Sequence, residues 1–378
     1  MSTDELRGGA PVAADAARRA PRTDGAAPVR SATPIILAAT LLTALTVALT
    51  AFAAYLTIMV ADTGIWKVVL GGATLVVVVL ALVITRPLAR GVRAQRAGTS
   101  ALAAGDIVDA RTFRHRAAQA GWIAMGACMP LVFVAIFTLF LLANDHAVQT
   151  TFFDVDFMAQ SFGDVAIAFG QNVQIAILAE ILVLVWGLLI AMARLLPGVA
   201  GRPIRWLATA YVDIFRAVPS IIVIYLVGFG LPLAGVPVLS EMSPMWAAVL
   251  ALTLTYGAYV AEVYRAGIEG IHWSQVSAAR SLGLSYGKTM RFVVVPQAVR
   301  RVTPPLLNDF IGLQKDTALV TVIGTVDAFT QAKIYASNYF NLSSVTVVAI
   351  LFIIITIPQT RFVDRLLERD ARRQRSKG

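Results

Sequence analysis

The segment Gly283-Leu-Ser-Tyr-Gly287-Lys288-Thr289 holds glycines, a lysine and a hydroxyl in the order used by loops that cradle phosphate. Such a loop needs four residues between its glycines, so that successive backbone N–H groups can wrap the phosphates, and it must follow a buried strand. Here three residues separate the glycines, and residues 273–282 read WSQVSAARSL, without a strand-like apolar run. The spacing therefore does not support nucleotide binding by this segment.

A second group of polar residues lies in apolar surroundings. In LLNDFIGLQKDTALVTVIG, residues Asn308, Gly312, Lys315 and Asp316 fall at i, i+4, i+7 and i+8, with Asp309 seven before Asp316, so on a helix they share one stripe. Together with Thr317 this stripe reads in two ways: a polar network that fixes helix packing, with Lys315 snorkelling to an interface, or the lining of a path for a polar solute. Glu180, alone in AILAEILVLVW, is either an interhelical hydrogen-bonding group or part of the same path. Asp213–Arg216 and Glu262–Arg265 have the i, i+3 spacing of helical ion pairs. Three scattered histidines show no metal-ligand spacing, and the single Cys128 excludes an intrachain disulfide framework.

These residues must be positioned by membrane helices. The chain is 58% hydrophobic and 14% charged over 378 residues, with a mean hydropathy of +0.74, which places it among integral membrane proteins. The net charge of +10 would suggest nucleic acid in a soluble protein; in a membrane protein basic residues gather on cytoplasmic loops, and no nucleic-acid partner is expected. Residues 1–33 lack periodicity and read as a disordered tail. Stretches of spanning length, roughly 20 apolar residues, occur at 34–60, 68–85, 121–143, 173–193, 208–231, 245–263, 305–324 and 345–358. An all-α protein of about eight transmembrane helices is expected.

Loop charges give the orientation. Arg86, Arg90, Arg93, Arg96, Arg111, Arg114 and Arg116 follow the second span, and the segments after the fourth, sixth and eighth are basic as well. By contrast 144–166 carries four aspartates and no Lys or Arg, and 232–244 only Glu241. The expected topology is N-in, C-in. Charged residues concentrate in the later spans, so function is expected after about residue 166. Between the sixth and seventh spans, VSAARSL, GLSYG and KTMRFVVV read as helix, turn and helix, the second stopped by Pro296. An amphipathic hairpin held below a membrane bundle suits docking of a partner.

At this point the residues resemble a family, the permease subunits of ABC importers for polar amino acids. The family pattern E-A-A-x3-G-x9-I-x-L-P is matched by Ser277-Ala278-Ala279, Gly283, Val293, Val295 and Pro296 at full spacing. Segments around Tyr211-Val-Asp213-Ile-Phe-Arg216, Ala258-Tyr-Val-Ala-Glu262-Val-Tyr-Arg265 and Lys315-Asp316-Thr317-Ala318-Leu319 are similar to further family motifs in the same order. The resemblance implies a five-helix permease core over 166–365 with a cytoplasmic coupling hairpin at 270–300, preceded by a three-helix extension at 34–165 and followed by a basic tail at 366–378. It assigns Ser277, Ala278, Ala279, Gly283 and Pro296 to coupling with an ATPase, although Ser277 replaces the usual acidic residue. It further implies separate ABC ATPase subunits, which hold ATP and magnesium, an extracytoplasmic amino-acid-binding protein and a second permease, identical or paralogous. The chain itself would bind no cofactor, would not be an enzyme, and would reside in the bacterial cell membrane. The competing reading is an ion-coupled secondary transporter, which intramembrane charges would also serve.

Overall fold

The computed structural model describes residues 30–60, 65–144 and 147–375. The expected tail at 1–33 lies outside these residues except for its last four positions, and Asp145 and residues 376–378 lie outside them too. The described residues are helical throughout, with no strand, and form two compact units that divide at 146/147. The expected boundary at 165 falls instead inside one continuous helix, because Asp154 caps its start by accepting from Phe157 N–H at 3.2 Å and nothing breaks the helix before Arg194.

The first unit holds α1 (Thr33–Val60), α2 (Ile65–Ala103) and α3 (Ile107–Leu141). In α1, Thr43, Thr46, Thr50 and Thr57 are all buried, and each hydroxyl donates to the carbonyl four residues back, which removes the cost of an unpaired polar group in an apolar seam. Small residues set the helix spacing. A Cβ at Gly91 in α2 would stand 2.9 Å from the Ile36 side chain, and one at Gly121 in α3 would stand 2.8 Å from that of Ile35. Between α2 and α3 the chain turns at Gly105, whose φ of +80° suits glycine, and Asp106 caps α3 by accepting from Asp109 N–H at 2.9 Å.

The second unit begins with α4 (Ala147–Phe152) and α5 (Val155–Arg194), so most of the expected outer loop at 144–166 is helical. Its acidic residues tie helix ends together: Asp154 N–H donates to Ser343 Oγ at 2.9 Å, and Asp164 accepts from the Tyr335 hydroxyl at 2.7 Å. There follow α6 (Arg202–Ala217), α7 (Ser220–Leu233, with a π turn at Leu226–Gly230) and α8 (Pro244–Glu269). The expected single span at 208–231 is bent by 105° between α6 and α7. Pro219 is the cause: it holds Val218 in extended backbone, ψ 130°, and has no N–H to continue the ladder. In the core, α8 packs along α5 through Ala247, Ala248, Ala251, Ala258 and Ala261, with Ile175, Ile224, Leu252 and Leu313 fully buried around them.

The remainder comprises α9 (Trp273–Ser281), α10 (Tyr286–Thr289), a π turn (Met290–Val294), α11 (Val295–Asp316), a 3-10 turn (Thr317–Ile323), α12 (Ala328–Tyr339) and α13 (Ser343–Arg375). The expected stop at Pro296 does not occur. In the preceding π turn Val295 N–H donates to Met290 O, five residues back, and this wider turn leads directly into α11 with Pro296 in its first turn, where a missing donor is tolerated. Nor does the expected span at 305–324 continue as one helix: α11 ends at Asp316, and the 3-10 turn closes on Gly324 with φ +81°.

Among the described residues five helical segments are long and apolar enough to cross a membrane, namely Thr33–Met59, Ile107–Leu141, Ala147–Arg194, Pro244–Glu269 and Ser343–Arg369, or six with the bent α6–α7 pair. The expected spans at 68–85 and 305–324 are not among them. In α11 the reason is composition, since Asp309, Lys315 and Asp316 lower its apolarity.

Candidate functional site

Three polar assemblies occupy the second unit. The first surrounds α11. Gly312 leaves room for the Tyr256 hydroxyl of α8, which a Cβ at that position would approach to 3.2 Å. Asp309 and Asp316 both act electrostatically on Tyr256, Arg216 acts on Asp309, and Asp309 acts on Glu180 of α5. Four helices thus converge on one charged neighbourhood, in which Asp309 Oδ2 is buried without a hydrogen-bond partner. The expected stripe is split. Asp309, Gly312 and Asp316 are partly buried toward Tyr256, while Asn308 and Lys315 are exposed on the single chain.

The second assembly contains Thr317. This residue is fully buried, and its hydroxyl accepts from Asn172 Nδ2 at 3.2 Å while donating to Gln314 O at 2.7 Å. Asn172 also donates to Asp327 Oδ2 at 3.1 Å and accepts from Ala328 N–H at 3.0 Å. Asp327 Oδ1 in turn accepts from Thr330 N–H at 3.0 Å and from its hydroxyl at 2.8 Å. Thr317 therefore belongs to a closed knot that fixes the 3-10 turn against α5 and α12, and it does not line an open path. Neither Asn172 nor Asp327 stands out in the sequence. The signal available was a cap, Asp327-Ala-Phe-Thr330, which marks the start of α12.

The third assembly is ionic. Glu262 accepts from Arg194 Nη1 at 2.5 Å and is gripped by Arg265 through Nε, at 3.2 Å, and Nη2; Arg265 also reaches Glu269. The expected Glu262–Arg265 pair is thus present, and Arg194 extends it across from α5, a charge-assisted link between two core helices. The other expected pair is absent among the described residues. Asp213 and Arg216 are both exposed, and the Arg216 guanidinium lies over the Tyr259 ring, 5.5 Å from its centroid. The cation–π contact draws Arg216 toward α8 and away from its neighbour on α6.

The hairpin expected at 270–300 is formed by α9, α10 and the π turn. Its first helix ends in a Schellman motif: Leu284 N–H donates to Ala279 O at 3.2 Å and Gly283 N–H to Arg280 O at 3.0 Å, with Gly283 at φ +82°. Ser285 caps α10 by accepting from Lys288 N–H at 3.4 Å. In this frame Ala279 is buried and Ser277 and Ala278 are exposed, as are Trp273 (71%), Leu282 (83%) and Tyr286 (67%). Lys288 and Thr289 of the phosphate-loop-like segment lie inside α10, and Thr289 is buried. Pro296 sits in the helix that leaves the hairpin, not at its end.

Known proteins resemble the second unit in sequence and fold. Residues 184–375 match the family model described as binding-protein-dependent transport system inner membrane component. The arginine transport system permease protein ArtQ of Bacillus subtilis is 34% identical over 200 residues, 52% of this chain and 88% of that protein. The glutamine transport system permease protein GlnP of Escherichia coli is 35% identical over 187 residues, 49% and 83% of the respective chains. The glutamate transport system permease protein GluC of Corynebacterium glutamicum is 34% identical over 216 residues, 53% and 92%. A solved structure described as an amino acid ABC transporter with histidines superposes with a TM-score of 0.52 at 29% identity, covering 56% of this chain and 96% of that one. The chain therefore belongs to the family of binding-protein-dependent transport system inner membrane components, as an amino acid ABC transporter permease that is not itself an enzyme.

Proposed function

We propose that the chain is the membrane subunit of an ATP-driven importer for polar amino acids, of the glutamate, glutamine or basic class, located in the bacterial cell membrane. Its chain crosses the bilayer about eight times with both termini inside. The observation that carries the reading is the exposed hairpin: Trp273, Leu282 and Tyr286 offer aromatic and aliphatic anchors on a rigid turn that is helically continuous with α11, the carrier of Asp309 and Asp316. A separate ATPase subunit binds this hairpin, and closure of two such subunits on ATP and magnesium rotates α11. Ala279 and Gly283 shape the hairpin, Ser277 and Ala278 face the ATPase, and Pro296 opens the helix that carries the motion. Asn308 and Lys315, exposed on the single chain, face a second permease, identical or paralogous, across a shared path. Glu180, Asp309 and Asp316 present charge to that path, and a binding protein delivers the amino acid from outside.

The test is co-purification of the chain with its ATPase and binding-protein partners, reconstitution in liposomes, and measurement of amino-acid uptake with and without internal ATP. Uptake that depends on ATP and on the binding protein supports the reading. Uptake by the chain alone, driven by an ion gradient, sinks it.

A further inference from the structure

The three-helix unit carries charge chemistry that transport by the second unit does not use. At the end where α1 begins, Arg30, Ser31, Ile35, Arg111, Arg114 and His115 line a cavity of about 310 Å³ between α1 and α3. The third helix closes on the same end: Gln95 of α2 donates to Thr33 at 2.8 Å, and a Cβ at Gly98 would stand 3.0 Å from the Arg114 side chain. Arg86, Arg90, Arg93 and Arg96 lie on this half of α2.

We propose that this basic cavity binds the phosphate of an anionic lipid headgroup. Arginine presents a planar fork of donors that suits phosphate oxygens, and three arginines line this cavity, Arg111 and Arg114 from α3 and Arg30 from just before α1. A lipid is favoured over a free anion by what adjoins the cavity. Immediately after it α1 turns apolar, with Leu37 (60%), Leu41 (64%) and Leu45 (61%) exposed, and a separate apolar groove of about 210 Å³ on the α2 side of α1 is bordered by Ile36, Leu37 and Leu41. From Thr33 to Leu41 the helix rises about 12 Å, over a third of a bilayer's hydrocarbon core. Acyl chains can therefore lie along α1 while the phosphate sits among the arginines, an arrangement that basic pockets between membrane helices commonly provide. The proposal is independent of what the second unit transports.

The test uses the full-length chain in neutral detergent, with dioctanoyl-phosphatidylglycerol, dioctanoyl-phosphatidylcholine and inorganic phosphate as probes, and bound lipid read by native mass spectrometry. Saturable binding of phosphatidylglycerol, with little of phosphatidylcholine, is expected. Each basic residue near an anionic lipid is worth roughly fivefold in affinity, so Arg111→Gln/Arg114→Gln should weaken binding by about 30-fold. A control on α13, Arg361→Gln/Arg365→Gln, removes equal charge and should change it less than about twofold. If the first pair disturbs folding, seen as a lowered unfolding temperature, Arg30→Gln serves in its place, since Arg30 is exposed; about fivefold weakening is expected. Equal effects of the site and control variants, or equal binding of the two lipids, would overturn the proposal. Displacement of the lipid by inorganic phosphate at matching concentration would also overturn it, by showing a free-anion site.

Discussion

Replacing Asn172 with leucine removes the centre of the buried knot while nearly conserving its volume. Asn172 supplies a donor to Thr317, a donor to Asp327 and an acceptor for Ala328 N–H, at 3.2, 3.1 and 3.0 Å. Leucine satisfies none of these. Thr317 keeps its bond to Gln314 O and Asp327 keeps two donors on Oδ1, so the severe losses are the Ala328 N–H and Asp327 Oδ2. Each buried group left without a partner costs about 1–3 kcal/mol, and more where it is charged, so Asn172→Leu should destabilise the second unit by roughly 3–6 kcal/mol. At about 2–4 °C per kcal/mol for a domain of this size, the unfolding midpoint in detergent should fall by about 6–24 °C. The sharper readout is a double-mutant cycle with Asp327→Leu. Once Asp327 is gone, its orphaned oxygen no longer penalises the Asn172 variant, and the double variant should be less destabilised than the sum by about 1–3 kcal/mol. Strict additivity would show that the two side chains are not coupled, and the knot would then have no place in holding the 3-10 turn.

Other perturbations follow from close approaches and charge. Gly257→Ala should destabilise by about 1–3 kcal/mol in thermal unfolding, because its Cβ would stand 2.6 Å from the Trp186 ring, which is held by its bond to Tyr211; a neutral outcome would mean that α5 and α8 can separate freely. Gly283→Ala places a Cβ at φ +82° and should cost about 1–2 kcal/mol in the hairpin, measured as faster hydrogen exchange in α9 and α10; exchange unchanged from wild type would remove the Schellman turn as the hairpin's support. Glu262→Gln leaves Arg194 and Arg265 facing each other without a carboxylate and should be more damaging in unfolding than Arg265→Met, which leaves Glu262 paired with Arg194; the reverse order would argue against Arg194 as a true partner.

Much of the site was legible because its signals are local. Gly283 marks a helix end by backbone conformation alone, and the i, i+3 spacing of Glu262 and Arg265 sets their pairing on one helix face. What was not legible depends on partners distant in the chain. Asp213–Arg216 has the same spacing as Glu262–Arg265, yet Tyr259 competes for the guanidinium, and a ring one helix away has no signature near residue 216. Asn172 reads as an isolated polar residue until Asp327, far along the chain, folds against it. Proline was legible only in part. Pro219 bends the chain sharply because nothing compensates for its missing donor, whereas Pro296 is absorbed at a helix start prepared by a π turn. Residue type gave the chemistry in both cases, and the neighbouring backbone decided the geometry.

That absorbed proline has a mechanical consequence. Because the π turn carries the helix past Pro296, the chain from Tyr286 to Asp316 runs helically from the hairpin to the charged neighbourhood around Tyr256. At 1.5 Å per residue this arm is about 45 Å long, so on the proposed mechanism a tilt of about 5° about the hairpin displaces Asp316 by about 4 Å, more than a hydrogen-bond length. A shift of that size exchanges partners around Asp309 and Asp316 instead of merely stretching them. Small rotations at one end thus become discrete changes of electrostatic contact at the other.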